Sequence, residues 1–211
     1  MWYLKFLFAL FCFTIIAIAV PAQNKKFNKA LSKQLDSLRD VDQSPLAIQD
    51  ADSAAAAFQK IVRRNFPMVK AIAAKYGFPG YDLVGKVSSN NYWLLVQHSD
   101  FDVAFQKDVL KLMKVEVDKR NASGQSYAYL VDRINLNEGK EQIYGTQVLM
   151  GETGTKLKPC IDTANLDKRR LSVGLTPINE YLKQCDDAFH EMNKDKIKMP
   201  AKTDSTNKDH R

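Results

Sequence analysis

Histidine and cysteine are scarce in this chain. Of three histidines in 211 residues only His98 lies in the middle, and no His-x-x-x-His, His-Glu-x-x-His or Cys-x-x-Cys spacing occurs. The familiar zinc sites are thereby excluded, and neither a metal nor a cofactor is implied. No serine stands in Gly-x-Ser-x-Gly and no glycine-rich phosphate loop appears, which disfavours nucleophile-elbow hydrolases and P-loop enzymes. Nor is there an internal repeat at solenoid periods. The apolar run from Phe6 to Val20 follows Lys5 and leads into Val20-Pro21-Ala22. At about fifteen residues it falls short of the roughly 20 needed to span a bilayer, so residues 1–22 read as a signal peptide cut before Gln23. Cys12 sits mid-run behind Phe11, the wrong place for lipidation.

Export leaves 189 residues, enough for one domain with a real core, in a periplasmic or secreted setting. An oxidising compartment favours a bond between Cys160 and Cys185, closing a loop of about 26 residues and stabilising by about 3 kcal/mol. The alternative is two reduced, buried thiols. The formal charge of +7 is concentrated at the end of the chain, where residues 193–211 hold six Lys or Arg against three Asp and no aromatic residue. That composition reads as a disordered basic tail. It does not read as a nucleic-acid interface, and membrane contact is expected only through the leader.

Helical periodicity dominates the remainder. Phe27, Leu31, Leu35 and Leu38 form an apolar stripe, and Asp52 or Ser53 is positioned to cap an Ala-rich helix that Phe66-Pro67 interrupts. Gly77 and Pro79 stop it. Residues 23–75 thus form N-terminal helices, and 76–192 the remaining core of the same globular domain. Ser88-Ser89-Asn90 offers caps for a helix through His98, and Ser99-Asp100 either continues it or caps the next through Phe105 and Leu112. Tyr127 to Leu136 reads as a helix ended by Gly139. Residues 143–150 and 155–161 flank Gly151 to Gly154 as a hairpin, and Thr176-Pro177 opens a last helix. The expected fold is mainly α within the α+β class, a single helical domain with one small β-hairpin.

Three apolar segments end in polar clusters. Trp93-Leu94-Leu95-Val96 runs into Gln97, His98 and Asp100; Tyr129-Leu130 precedes Asp132-Arg133; and Tyr144-Gly145-Thr146-Gln147 follows. Buried polar groups must be paired or used. His98 is either a satisfied core histidine or a general acid/base with Asp132 as its carboxylate partner. Asp100 is either a helix cap or a functional carboxylate. Arg133 suits bidentate capture of a carboxylate, from a ligand or from Asp100. Tyr144, Thr146 and Gln147 bring a phenol, a hydroxyl and an amide to one place.

These motifs, with Phe105-Gln106, Gly139-Lys140-x-Gln142 and Asp167-x-Arg169-Arg170 before Gly174-Leu175-x-Pro177 and Tyr181, resemble a bacterial family catalogued as a domain of unknown function. The resemblance spans about residues 76 to 182, with Asp42-Gln43 as a further matching pair. It implies that Gln97, His98, Asp100, Gln106, Asp132, Arg133, Tyr144, Thr146, Gln147 and Arg170 belong to one set, and implies no activity. The leading reading is an exported binding domain whose pocket takes a polar small ligand or peptide, anionic or amide-bearing. The rivals are a hydrolase-like enzyme using His98 with Asp100 or Asp132, and a polar network that is purely structural.

Overall fold

In the computed structural model, which describes residues 26–194, seven α-helices and one two-stranded hairpin account for the regular structure. Helix α1, Lys29–Gln43, is capped by the Asn28 side chain, which accepts from Leu31 N at 3.0 Å. Its Leu31, Leu35 and Leu38 are buried as their spacing predicts, and Asp42 continues the same buried stripe. Phe27 lies outside the helix and is 52% exposed. The signal peptide expected over 1–22 and all but the first two residues of the expected tail lie outside the described residues.

A short 3-10 turn, Ser44–Ala47, leads into α2, Ala51–Tyr76. The cap is Asp50, two residues before the nearer of the expected caps, accepting from Ser53 N at 2.8 Å. Pro67 does not interrupt α2. It removes one hydrogen bond on the outer face of the helix, beside exposed Arg63, while Val62, Val69 and Ile72 hold the helix on the core. Gly77 ends the helix at φ 70°, as expected.

Helix α3 covers Tyr81–Gln97 with a break at Gly85, where φ is 81° and ψ is 165°. The proposed caps Ser88 and Ser89 therefore lie inside the helix, both buried. Ser88 Oγ donates to Asp36 at 2.7 Å and Asn91 Nδ2 donates to the same oxygen at 2.9 Å, fastening α3 to α1. Helix α4 is Val103–Asp118, capped by Asp102, which accepts from Phe105 N at 2.9 Å. Helix α5 is Gly124–Asn137, capped by Ser123. Leu35, Tyr92, Val96, Met113 and Leu130, from four of these helices, meet in one core.

The hairpin is shorter than its sequence suggests. Strands β1, Val148–Leu149, and β2, Lys156–Leu157, pair antiparallel, with Val148 opposite Leu157. Residues 142–147 spend their backbone groups on buried side chains instead, as described below. After a second 3-10 turn come α6, Leu166–Ser172, and α7, Ile178–Met192. No helix among the described residues is long and apolar enough to cross a membrane.

Gly85 occupies a backbone region essentially reserved for glycine, although a Cβ there would meet only Phe27 Cε2 at 3.7 Å. Gly85→Ala is therefore expected to destabilise through backbone strain, by about 1–3 kcal/mol, and not through a clash. Urea denaturation checks this; an unchanged midpoint would show that the break relaxes freely.

Candidate functional site

The polar residues singled out from the sequence separate into two kinds. Some have every bonding position turned inward on the fold, and others face open space.

Asp132, with no exposed surface, lies on the inner face of α5. Its Oδ1 accepts from Ile143 N at 2.7 Å and Tyr144 N at 3.0 Å, and its Oδ2 accepts from Thr146 N and Thr146 Oγ1, both at 2.9 Å. This carboxylate is the nucleus around which the 143–146 loop winds. It has no bond to His98, so the expected His98–Asp132 pairing does not form. Arg170, also fully buried, holds the loop from the other side. It donates to the carbonyls of Tyr144 at 2.8 Å, Gly145 at 3.0 Å and Thr176 at 2.6 Å, and its guanidinium lies 4.7 Å from the centre of the Tyr181 ring. Burial among carbonyls pulls the Arg170 pKa down. Gly145 makes the turn possible at φ 64°. Gln142 completes the frame: its Oε1 accepts from Gln147 N at 2.7 Å, and its Nε2 donates to the carbonyls of Gln147 and Lys158.

Asp100 is not the expected cap of α4; Asp102 takes that role. Asp100 instead receives Arg133 through both Nε, at 2.8 Å, and Nη2. Gln106 Nε2 and Asn137 Nδ2 also donate to it, at 3.2 and 3.1 Å. Burial pushes the Asp100 carboxyl up, but the bonds and charge of Arg133, with the two amides, outweigh it and hold the pKa below the ordinary carboxylate range. Gln106 extends the link inward, donating to the carbonyls of Val96 and Gln97 at 3.1 Å and so satisfying the end of α3. Asp100, Arg133, Leu136, Asn137, Gln147 and Lys158 line a polar cleft of about 190 Å³. The Gln147 amide donates to Thr146 Oγ1 at 3.3 Å. Tyr144 stays half-buried, and burial raises its phenol pKa.

His98 stands at the end of α3, and its partner is Asp42, with Nδ1 2.8 Å from Oδ2. The Asp42 side chain is 1% exposed and that of His98 15%. Gln43 Nε2 donates to the same carboxylate oxygen at 2.8 Å. A carboxylate only accepts, so Nδ1 carries the proton and Nε2 is left as the imidazole's second polar atom. Among the described residues Nε2 makes no hydrogen bond. The Phe58 ring meets the imidazole edge-on with centroids 4.9 Å apart. His98, Phe58, Gln43, Pro45, Leu46, Ala54 and Ala55 surround a largely apolar cavity of about 350 Å³.

A model of the family of unknown function DUF6624 matches residues 39–194. The chain belongs to this family. No curated protein and no solved structure matches it. The DUF6624 match begins three residues before Asp42, so it takes in both members of the Asp42–His98 pair. Asp42 was readable as a family residue but not as the partner of His98. Its signal was position, since it continues the stripe of Leu31, Leu35 and Leu38, where a carboxylate needs a reason to be. Asn137 and Lys158 carry no such signal.

Cys160 and Cys185 are free, half-buried thiols, not the expected bridge. Different neighbours occupy them. Cys160 pairs across a short bridge with Gln142 and donates to the Ile161 carbonyl at 3.7 Å, while Cys185 sits on α7 one turn beyond Tyr181. Burial, with the Asp132 charge, raises the Cys160 pKa, so this thiol is not primed as a nucleophile.

Two outcomes are expected. Asp132→Asn places an amide among four donors and should lose roughly 3 kcal/mol, measured by urea denaturation; a loss under about 1 kcal/mol would remove its organising role. For Asp100 the folded pKa lies below the unfolded value. Its stabilisation is therefore complete above about pH 4 and is lost as pH falls through the depressed folded value. Asp100→Asn should flatten that acid limb of the stability profile and leave the slope near neutrality unchanged.

Proposed function

We propose that the protein is an exported binding domain whose ligand occupies the cavity beside His98, giving a polar group to Nε2 and an apolar body to Phe58, Pro45 and Leu46. The observation that carries this reading is the Asp42–His98 pair. A buried carboxylate spends itself on orienting one imidazole, and the nitrogen it leaves over belongs to a residue lining a cavity. A merely satisfied core histidine would have both nitrogens bonded within the fold. The cavity also falls in the size range of small-molecule sites, mostly apolar with a few fixed polar groups. This refines the ligand expected from sequence: polar at one end, apolar over most of its surface. Asp132, Thr146, Arg170 and Gln106 then serve as architecture, and Asp100 with Arg133 joins α5 to the turn that follows His98.

A second reading is acid/base catalysis by the same pair. Its support is that a carboxylate bonded to Nδ1 fixes the tautomer in which Nε2 accepts a proton, the arrangement a general base requires. Water would be the nucleophile, since the adjacent Ser99 hydroxyl is buried and donates to the Leu95 carbonyl at 3.0 Å.

Thermal shift against a panel of short peptides, wall fragments, sugars and fatty acids tests both readings. The parent is expected to gain stability with at least one compound, and His98→Gln to lose that shift while its own stability stays within about 1 kcal/mol of the parent. Asp100→Asn should keep the shift. If His98→Gln responds as the parent does, the ligand does not sit beside His98. Product formation from the stabilising compound, lowered about 10²- to 10⁴-fold in Asp42→Asn, would select the catalytic reading. Export is tested by intact mass of protein recovered outside the cytoplasm, expected to begin at Gln23; material still carrying residues 1–22 would contradict it.

A further inference from the structure

Between Ser53 and Tyr76 helix α2 has no acidic residue and five basic ones, Lys60, Arg63, Arg64, Lys70 and Lys75. All five are exposed. At 100° per residue they fall within an arc of about 140° opposite the buried Val62, Val69 and Ile72, and they extend along about 22 Å of helix. The residues between them on that arc are Pro67, Ala71 and Ala74, too short to keep a flat surface away from the cations. Other surface helices balance their charge locally: Lys111 with Asp108 and Lys114 with Asp118 on α4, and Lys183 with Asp187 on α7. On α2 the sole ion pair among the described residues is Lys70 to Asp102, at 3.8 Å. Arg63 rests over the Phe101 ring at 4.6 Å, which steadies it without neutralising it.

We propose that this outer face of α2 docks the protein on an anionic phospholipid surface. Charge complementarity supplies the attraction, each cation near such a surface strengthening attachment by about five-fold. A one-signed face along a single helix suits a plane. A single-stranded nucleic acid would call for free aromatic platforms among the cations; the arc itself carries none, and the neighbouring Phe101 and Phe66 rings are engaged by Arg63 and Lys70. The leader accounts for membrane contact during export; this face supplies contact by the folded domain, and it does so without a spanning helix. The cavity beside His98 lies on the opposite flank of α2, at Ala54, Ala55 and Phe58, so docking leaves it open.

Co-sedimentation with phosphatidylcholine vesicles, with and without about one quarter phosphatidylglycerol, tests the proposal on the full chain at low salt. The parent should pellet with the anionic vesicles alone and be released by about 0.5 M salt. Lys60→Gln, Arg63→Gln, Arg64→Gln and Lys70→Gln combined should lower partitioning at least about hundred-fold. These side chains are exposed, and the circular dichroism of the combined variant should match the parent's. The matched control, Lys196→Gln, Lys198→Gln, Lys202→Gln and Lys208→Gln, removes the same number of charges near the C-terminus and should retain most binding. Three results would overturn the proposal: equal pelleting with neutral vesicles, loss of binding in the control but not in the α2 variant, or binding to heparin with none to anionic vesicles.

Discussion

A carboxylate taken out of water must be given donors, and two buried carboxylates organise this protein under that constraint. Asp132 takes four donors from a single loop and so converts residues 143–146 from a potential strand into a fixed coil. Arg170 and Gln142 close the same loop through its carbonyls and its neighbours. Asp42 solves the problem differently. It takes a side-chain amide and an imidazole, and the imidazole is itself titratable and partly open to a cavity. One carboxylate is met wholly by the donors of a loop, and the other is shared with an imidazole that lines a cavity.

Between them lies the Asp100–Arg133 pair. Its bidentate geometry, with Gln106 reaching on to the carbonyls of Val96 and Gln97, ties α4 and α5 to the turn that carries His98. The pair is partly exposed, and its contribution to stability is correspondingly modest. Its effect is positional: the last carbonyls of α3, just before His98, are held by a buried amide.

What could be read from the sequence was whatever depends on near neighbours. The stripe of Leu31, Leu35 and Leu38, the stops at Gly77 and Gly139, and a hairpin near Gly151 to Gly154 follow from local periodicity and turn chemistry, and mainly α with one hairpin is the fold that results. Pro67 misled because its cost depends on which face it occupies, and that is a tertiary fact. Ser88 resembled a cap because its partner, Asp36, lies on another helix. Asp132 looked catalytic for a similar reason: a titratable group in an apolar segment signals either chemistry or a hub, and the donors that decide between them are backbone N–H groups, which every residue but proline has. His98 was legible as the histidine to test. Its partner was not, because Asp42 lies 56 residues away.

Asp42 fixes His98 in one tautomer, with the proton on Nδ1 and no hydrogen-bond partner for Nε2 among the described residues. Long-range ¹H–¹⁵N correlation of the imidazole tests it most directly. The neutral imidazole of His98 is expected to carry its proton on Nδ1, with the downfield signal of a carboxylate-bonded N–H, and Asp42→Asn to abolish that signal and mix the tautomers. A proton on Nε2, or a spectrum indifferent to Asp42→Asn, would contradict it.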